Sequence, residues 1–181
     1  RHGPIINDVV KSLKDSPQVL AFRWTALEGG RLFQSVYMLN QARNWEEFRA
    51  ALRYWVVPAQ NFVYADVEGN IGYQTPGNIP IRANGQGLVP VPGWTGEYEW
   101  TGYIPFDELP SAYNPPTHFI ATANNKVVPD DYPYFISYEW SAPYRAQRIV
   151  QLLTAKDKLS VQDFGQIQAD TYSIPGEKLV P

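Results

Sequence analysis

The sequence predicts an α+β domain, and three observations carry that prediction. Runs rich in β-branched and aromatic residues are interspersed with segments of helical period along the 181 residues. No glycine-rich turn links a strand to a helix as a dinucleotide-binding βαβ unit requires. Between the periodic segments lie stretches dense in Pro, Gly and Trp, which predict long ordered loops. Mixed elements without the βαβ repeat fit α+β better than a doubly wound sheet.

Residues 1–7 (RHGPIIN) predict a short strand entering a Gly-Pro turn, and residues 18–27 (QVLAFRWTAL) a second strand flanked by Ser16-Pro17 and Gly29-Gly30. Leu32, Val36 and Leu39 are spaced for a short helix. A clearer helix starts at Asn44, with Trp45, Phe48, Leu52 and Trp55 at three- and four-residue steps. Asn44 is a good N-cap, Glu47 stands where a reciprocal capping partner would, and Pro58 ends the segment. Residues 61–74 (NFVYADVEGNIGYQ) predict a hairpin, with Gly69 and Asn70 supplying positive φ in its turn. Residues 79–102 show no sustained period and predict a long ordered loop.

Phe119 to Ala123 then form a β-rich run that stops at Asn124-Asn125. Pro143-Tyr144-Arg145 opens a helix marked by Ala146, Ile149 and Leu153. Ser160 and Asp163 form a capping-box start for a last helix carrying Val161, Phe164 and Ile167. Residues 173–181 (SIPGEKLVP) predict a closing loop. There is no internal repeat and no low-complexity segment.

Composition narrows the function. With 44% hydrophobic and 18% charged residues, the chain is neither disordered nor membrane-spanning by composition. No apolar run approaches the ~18 residues of a spanning helix. The net charge of −3 argues against a protein that binds nucleic acid by phosphate neutralisation. The absence of cysteine excludes disulfides, thiolate chemistry and cysteine-ligated zinc. The two histidines, His2 and His118, are too distant in sequence to suggest a multi-histidine metal site. Nothing resembles a signal peptide, but the chain opens at Arg1 without an initiator Met, so the compartment stays open.

Two residues attract chemical interest. Asn124 reads first as a turn residue, since Asn tolerates the left-handed region and bonds its own backbone. Its sharper reading is an amide N–H aimed at developing negative charge, as in an oxyanion hole. Arg145 reads first as a solvated charge. A cation at a helix N-terminus is electrostatically unfavourable, however, and asks for a partner such as Asn124 or a reacting group. Asp130-Asp131 reads as a solvated loop, and Asp66 as part of the hairpin. No G-x-S-x-G, S-x-x-K, P-loop or zincin motif is present.

Six segments in fixed order carry a resemblance: RHGPIIN, NWEEFRAAL, PAQNFVYADVEGNIGY, PVPGWTGEYEWTGYIPFDELP, NPPTHFIATANN and PYRAQRI. Together they resemble the β-chain of penicillin acylases (penicillin amidases) over nearly the whole chain. The resemblance implies an N-terminal nucleophile hydrolase with an αββα sandwich, matured by autocatalytic cleavage into α and β chains. It implies hydrolysis of a linear amide, penicillin-like or N-acyl homoserine lactone-like. The nucleophile is the serine at residue one of the β-chain, with its own α-amine as base. By position in the motifs, Asn124 becomes the oxyanion donor and Arg145 its support. Gln60 falls where penicillin G-type members line the acyl pocket with an apolar residue, and Ala123 where they carry Trp.

The resemblance also implies that residues 1–181 are one domain, the central part of a β-chain. The nucleophile segment, the α-chain and the C-terminal part of the β-chain are then partners outside it, and the piece alone is inactive. The chemistry needs no cofactor. Some members hold a structural calcium; a carbonyl ligand would fall near Gly87, but Phe135, Ile136 and Ser137 stand where an aspartate ligand is expected. Members are often periplasmic or secreted, and neither nucleic acid nor membrane is an expected partner. A competing reading is a non-catalytic module whose six Trp and PVPGW–EYEWTGY stretch bind a partner or carbohydrate. The simpler account of those aromatics is packing against the rest of a parent domain.

Overall fold

The computed structural model describes residues 2–180; Arg1, part of the first predicted strand, and Pro181, the last residue of the predicted closing loop, lie outside the described residues. The chain is α+β. Helices α1 (Leu32–Leu39) and α2 (Trp45–Leu52) pack together across a short turn, pinned where the buried Ser35 hydroxyl donates to the Ala51 carbonyl at 2.8 Å. The Asn44 side chain accepts from the Glu47 amide at 2.8 Å, as its sequence position predicts. The Glu47 carboxylate reaches back to the Arg43 amide at 2.8 Å, one residue before the N-cap. α2 ends at Leu52 rather than continuing to Pro58. Trp55 leaves the helical path because its indole donates to the Pro58 carbonyl at 2.6 Å and its ring meets Phe62 edge-on.

The predicted hairpin forms from β1 (Phe62–Ala65) and β2 (Ile71–Gln74), paired from Phe62↔Gln74 to Ala65↔Ile71. Strand β2 also pairs with a later strand, Ser111–Tyr113, to give a three-stranded antiparallel sheet. One cross-strand row runs Tyr64, Gly72, Tyr113. Trp45 lies over it: its ring stacks on Tyr113 with centroids 5.2 Å apart and tilts against Tyr64 at 5.5 Å. Gly72 makes room for this indole, since a Cβ there would stand 2.4 Å from Cζ3 of Trp45. The next row contains Gln74, fully buried, whose Oε1 accepts from Nε of Arg49 on α2 at 2.9 Å. α2 is therefore the helix that covers this face.

Residues 79–102 are not one uninterrupted loop. Their ends pair as β3 (Pro80–Arg82) and β4 (Trp100–Tyr103), with an irregularity between Ile81 and Arg82; the Ser111–Tyr113 strand is β5. Strands this short, one beginning at Pro, carry too few residues to show a period. Beneath them Ile79, Ile104 and Leu109 form the apolar core, with Ile81, Phe106, Tyr134 and Ile136 packed against it.

Three other expectations change. The two N-terminal strands reduce to a single antiparallel bridge, Ile5–Ala21, followed by a 3-10 turn at Thr25–Leu27. The Asn7 side chain takes over the pairing there, accepting from the Leu20 amide and donating to the Gln18 carbonyl, both at 2.8 Å. The run 119–123 forms no strand and joins no ladder among the described residues. After α3 (Tyr144–Leu153) and α4 (Val161–Gln168), the SIPGEKLVP segment forms α5 (Ile174–Leu179) instead of a loop. Ser173 caps it by accepting from the Gly176 amide at 3.1 Å, and Pro175 falls in the first turn, where no donor is lost. The capping box of Ser160 and Asp163 forms as expected.

Candidate active site

The segment ending at Asn124 is held by contacts from four parts of the chain. Asn125 folds back so that its Oδ1 accepts from the Ala123 amide at 3.0 Å. The Ser141 amide donates to the Asn124 carbonyl at 2.9 Å. Arg145, in the first turn of α3, donates through one terminal nitrogen to the Ala123 carbonyl (2.8 Å) and to Asn124 Oδ1 (2.7 Å). Asn61 Nδ2 donates to Thr122 Oγ1 at 3.0 Å. Asn124 itself takes φ +61°, a left-handed conformation that Asn adopts more readily than most residues.

This geometry separates the two ends of the Asn124 amide. Its oxygen is occupied by a guanidinium, while its Nδ2 donates to no described residue and the side chain is exposed. A charge-assisted bond to the oxygen fixes the amide plane and polarises the N–H bonds at the opposite end. The same contacts answer the electrostatic question that Arg145 raised. Its charge sits at the unfavourable end of α3, and two short carbonyl acceptors offset that cost.

The other two sequence-predicted site residues lie beside this unit. Ala123 is buried and directly precedes Asn124; Gln60 is exposed and directly precedes Asn61. The Asn61–Thr122 hydrogen bond thus joins the stretch carrying Gln60 to the stretch carrying Ala123. Sequence reading singled out neither Asn61 nor Thr122. Their signal was present, as polar residues bordering the two apolar runs NFVYA and FIATA, but pairing across 61 positions is not legible in one sequence.

Several carboxylates have structural partners. Asp66 organises the β1–β2 turn, Asp107 binds Arg49 and Arg53, Asp130 binds Lys126, and Glu99 binds His2 and Arg23. The described residues contain no cluster of three or more His, Asp or Glu suited to a metal ion. Residues 87 and 135–137, where the calcium ligands are expected, bring no carboxylate. A Cβ at Gly87 would stand 2.9 Å from Nε of Arg82, so a guanidinium lies against it. Two surface clefts, about 730 Å³ along residues 85–92 with Tyr98 and about 310 Å³ bordered by Lys126, Tyr132 and Trp140, include neither Asn124 nor Arg145.

The family model for penicillin amidase matches residues 1–181. The penicillin acylase 2 proenzyme of Pseudomonas sp. strain SE83 is 37% identical over 174 residues, covering 96% of this chain and 22% of that protein. The acyl-homoserine lactone acylase QuiP of Pseudomonas fluorescens strain Pf-5 is 36% identical over 155 residues, 86% of this chain and 19% of that protein. The chain therefore spans about a fifth of the length of these relatives. Among solved structures, a thermostable penicillin G acylase from Alcaligenes faecalis superposes with a TM-score of 0.66 at 34% identity, over 77% of this chain and 25% of that one. A match along the whole chain, with named acylases on either side of it in sequence and structure, settles the lineage: this chain belongs to the penicillin amidase family.

Proposed function

We propose that residues 1–181 are the central part of the β-chain of an acylase that hydrolyses linear amides, of the penicillin or N-acyl homoserine lactone kind. In this reading the serine at the start of the β-chain attacks the amide carbonyl, with its own α-amine taking the proton. Asn124 Nδ2 then donates to the oxyanion of the tetrahedral intermediate. Arg145 holds the amide plane and strengthens the donor. Collapse of the intermediate expels the amine and leaves an acyl-serine, which water hydrolyses through a second oxyanion at the same place.

The observation that carries the reading is the 2.7 Å bond from Arg145 to Asn124 Oδ1, which leaves the Nδ2 end for a reacting group. A donor fixed before the reaction needs no reorganisation as charge develops. Gln60 and Ala123 border the acyl pocket in this reading, and the polar Gln60 argues against a phenylacetyl preference. No step uses a metal.

The test is Asn124→Ala in the full acylase. It is expected to lower kcat by about 10²–10³-fold with the fold intact. Near-wild-type turnover would show Asn124 to be a turn residue only. For the acyl pocket, Gln60→Leu is expected to shift kcat/KM toward apolar acyl groups across amides that differ only in the acyl chain. An unchanged ranking would remove Gln60 from the pocket.

A further inference from the structure

Asn124 ends a run that no strand ladder holds among the described residues, so its position depends on discrete side-chain tethers. Arg145 supplies one from α3. Asn125 supplies another within the turn, and a third comes from Asn61. Its Nδ2 donates to Thr122 Oγ1, two residues before Asn124, at 3.0 Å. Its Oδ1 is itself fixed, accepting from the Tyr73 hydroxyl at 2.5 Å. Tyr73 and Thr75 share a further hydrogen bond at 2.6 Å, and both are buried. Thr75 is locked in turn by its amide, which donates to the Pro110 carbonyl at 2.9 Å. Burial also pushes the Tyr73 phenol above its ordinary pKa, so it stays a neutral hydroxyl.

We propose that the chain from Tyr73, braced by Thr75, through Asn61 to Thr122 is a positioning device that sets where the Asn124 amide stands relative to the three-stranded sheet. This rests on the reading of Asn124 as oxyanion donor and extends it to four residues that touch no substrate. The chain begins inside β2, the central strand of that sheet and its most rigidly paired element. It crosses to the run 119–124 through the Asn61–Thr122 bond alone among the described hydrogen bonds between the hairpin and that run. Arg145 fixes the plane of the amide, and the Asn61 tether fixes its distance from the sheet.

The Thr122 hydroxyl is the member whose removal disturbs least, since Val keeps its shape. In the full acylase, Thr122→Val is expected to lower kcat roughly 10- to 100-fold, the loss that a misplacement of about 1 Å produces. KM should change less than about threefold, because the lost interaction is made in the transition state. Thr122→Ser keeps the Oγ and should restore most of the turnover. The decisive measurement is the cycle with Asn124→Ala. Acting through Asn124, Thr122→Val should cost little further kcat once that amide is gone.

The outcomes separate two failures. If Asn124→Ala alone leaves turnover near wild type, the oxyanion reading fails and this inference with it. If Asn124→Ala is damaging but Thr122→Val is neutral, or its cost is fully additive, only the positioning device is overturned. Should Thr122→Val fail to mature, Thr122→Ala removes the same hydroxyl without added bulk and enters the same cycle.

Discussion

Asp66 shows at the scale of one residue why a carboxylate in this chain is more informative as an organiser than as an acid. Its Oδ1 accepts from the amides of Glu68 and Asn70 at 3.0 and 2.9 Å, and its Oδ2 from the Asn70 side chain and the Tyr64 hydroxyl at 2.9 and 2.8 Å. These donors, the Asn70 side chain foremost, hold the Asp66 pKa below its ordinary value. Tyr64, desolvated by its surroundings and donating to that charge, is pushed up to about 12. Asp107 is lowered by Arg53, and Asp170 by Arg148. A carboxylate whose folded pKa is depressed stabilises the fold above its unfolded value of about 3.9, and that contribution is lost as pH falls through the folded value. Asp66→Asn should therefore lower the unfolding temperature near neutral pH, and the gap from wild type should narrow toward pH 2 as wild-type Asp66 protonates. A gap that stays constant across a thermal-unfolding pH series would mean that shape, not charge, holds the turn. Asp66 was legible in the sequence as a hairpin residue. Its turn was read less well: Gly69 takes the positive φ of +89°, whereas Asn70 acts through its hydrogen bonds.

Elements whose instructions are local were the legible ones. Asn44 caps α2 and Ser160 caps α4 because each needs only a partner three residues on. The Asp66–Asn70 turn likewise fixes the β1–β2 register from within. Strand identity in 119–123 was not legible, because a strand exists only where another strand pairs with it, and the run finds side-chain tethers instead. α5 was hidden because Pro175 and Gly176 read as breakers, although Pro in a first turn costs no hydrogen bond. Packing between elements gives a sharper test. At Gly72, where the Trp45 ring would lie 2.4 Å from an added Cβ, α2 meets the sheet with no space to spare. Gly72→Ala should destabilise the protein by about 1–3 kcal/mol through overpacking. Gly69→Ala meets nothing within 4 Å, so its cost comes from backbone strain at φ +89°, about 1–2 kcal/mol. Adding Trp45→Phe should relieve part of the Gly72→Ala penalty and none of the Gly69→Ala penalty, as read by denaturant unfolding. Equal behaviour of the two would disprove the helix–sheet contact as the cause.

For the whole molecule, the balance between covered and uncovered apolar surface separates the enzyme reading from the binding-module reading. The buried apolar cluster of Ile79, Ile104 and Leu109 is small for a chain of 181 residues. Meanwhile Phe33, Trp94 and Val161 are 84%, 87% and 91% exposed, and they lie in three well-separated stretches of the sequence. Large apolar side chains left uncovered along the whole chain suit packing against neighbouring segments of a larger protein. The site has the same character. Asn124 and Arg145 were candidates from their motifs, while the bond between them, across 21 positions, emerges only in the fold. In the proposed reading that bond serves oxyanion stabilisation, and the nucleophile is the serine at the start of the β-chain. The isolated chain should accordingly show no turnover of an acyl-aminoarene reporter and should bind a hydrophobic dye strongly. The full acylase should show turnover and bind the dye weakly. Turnover by the isolated chain, free of contaminating hydrolase, would mean that a nucleophile lies within residues 1–181. Weak dye binding with saturable affinity for one oligosaccharide or protein would favour the module instead.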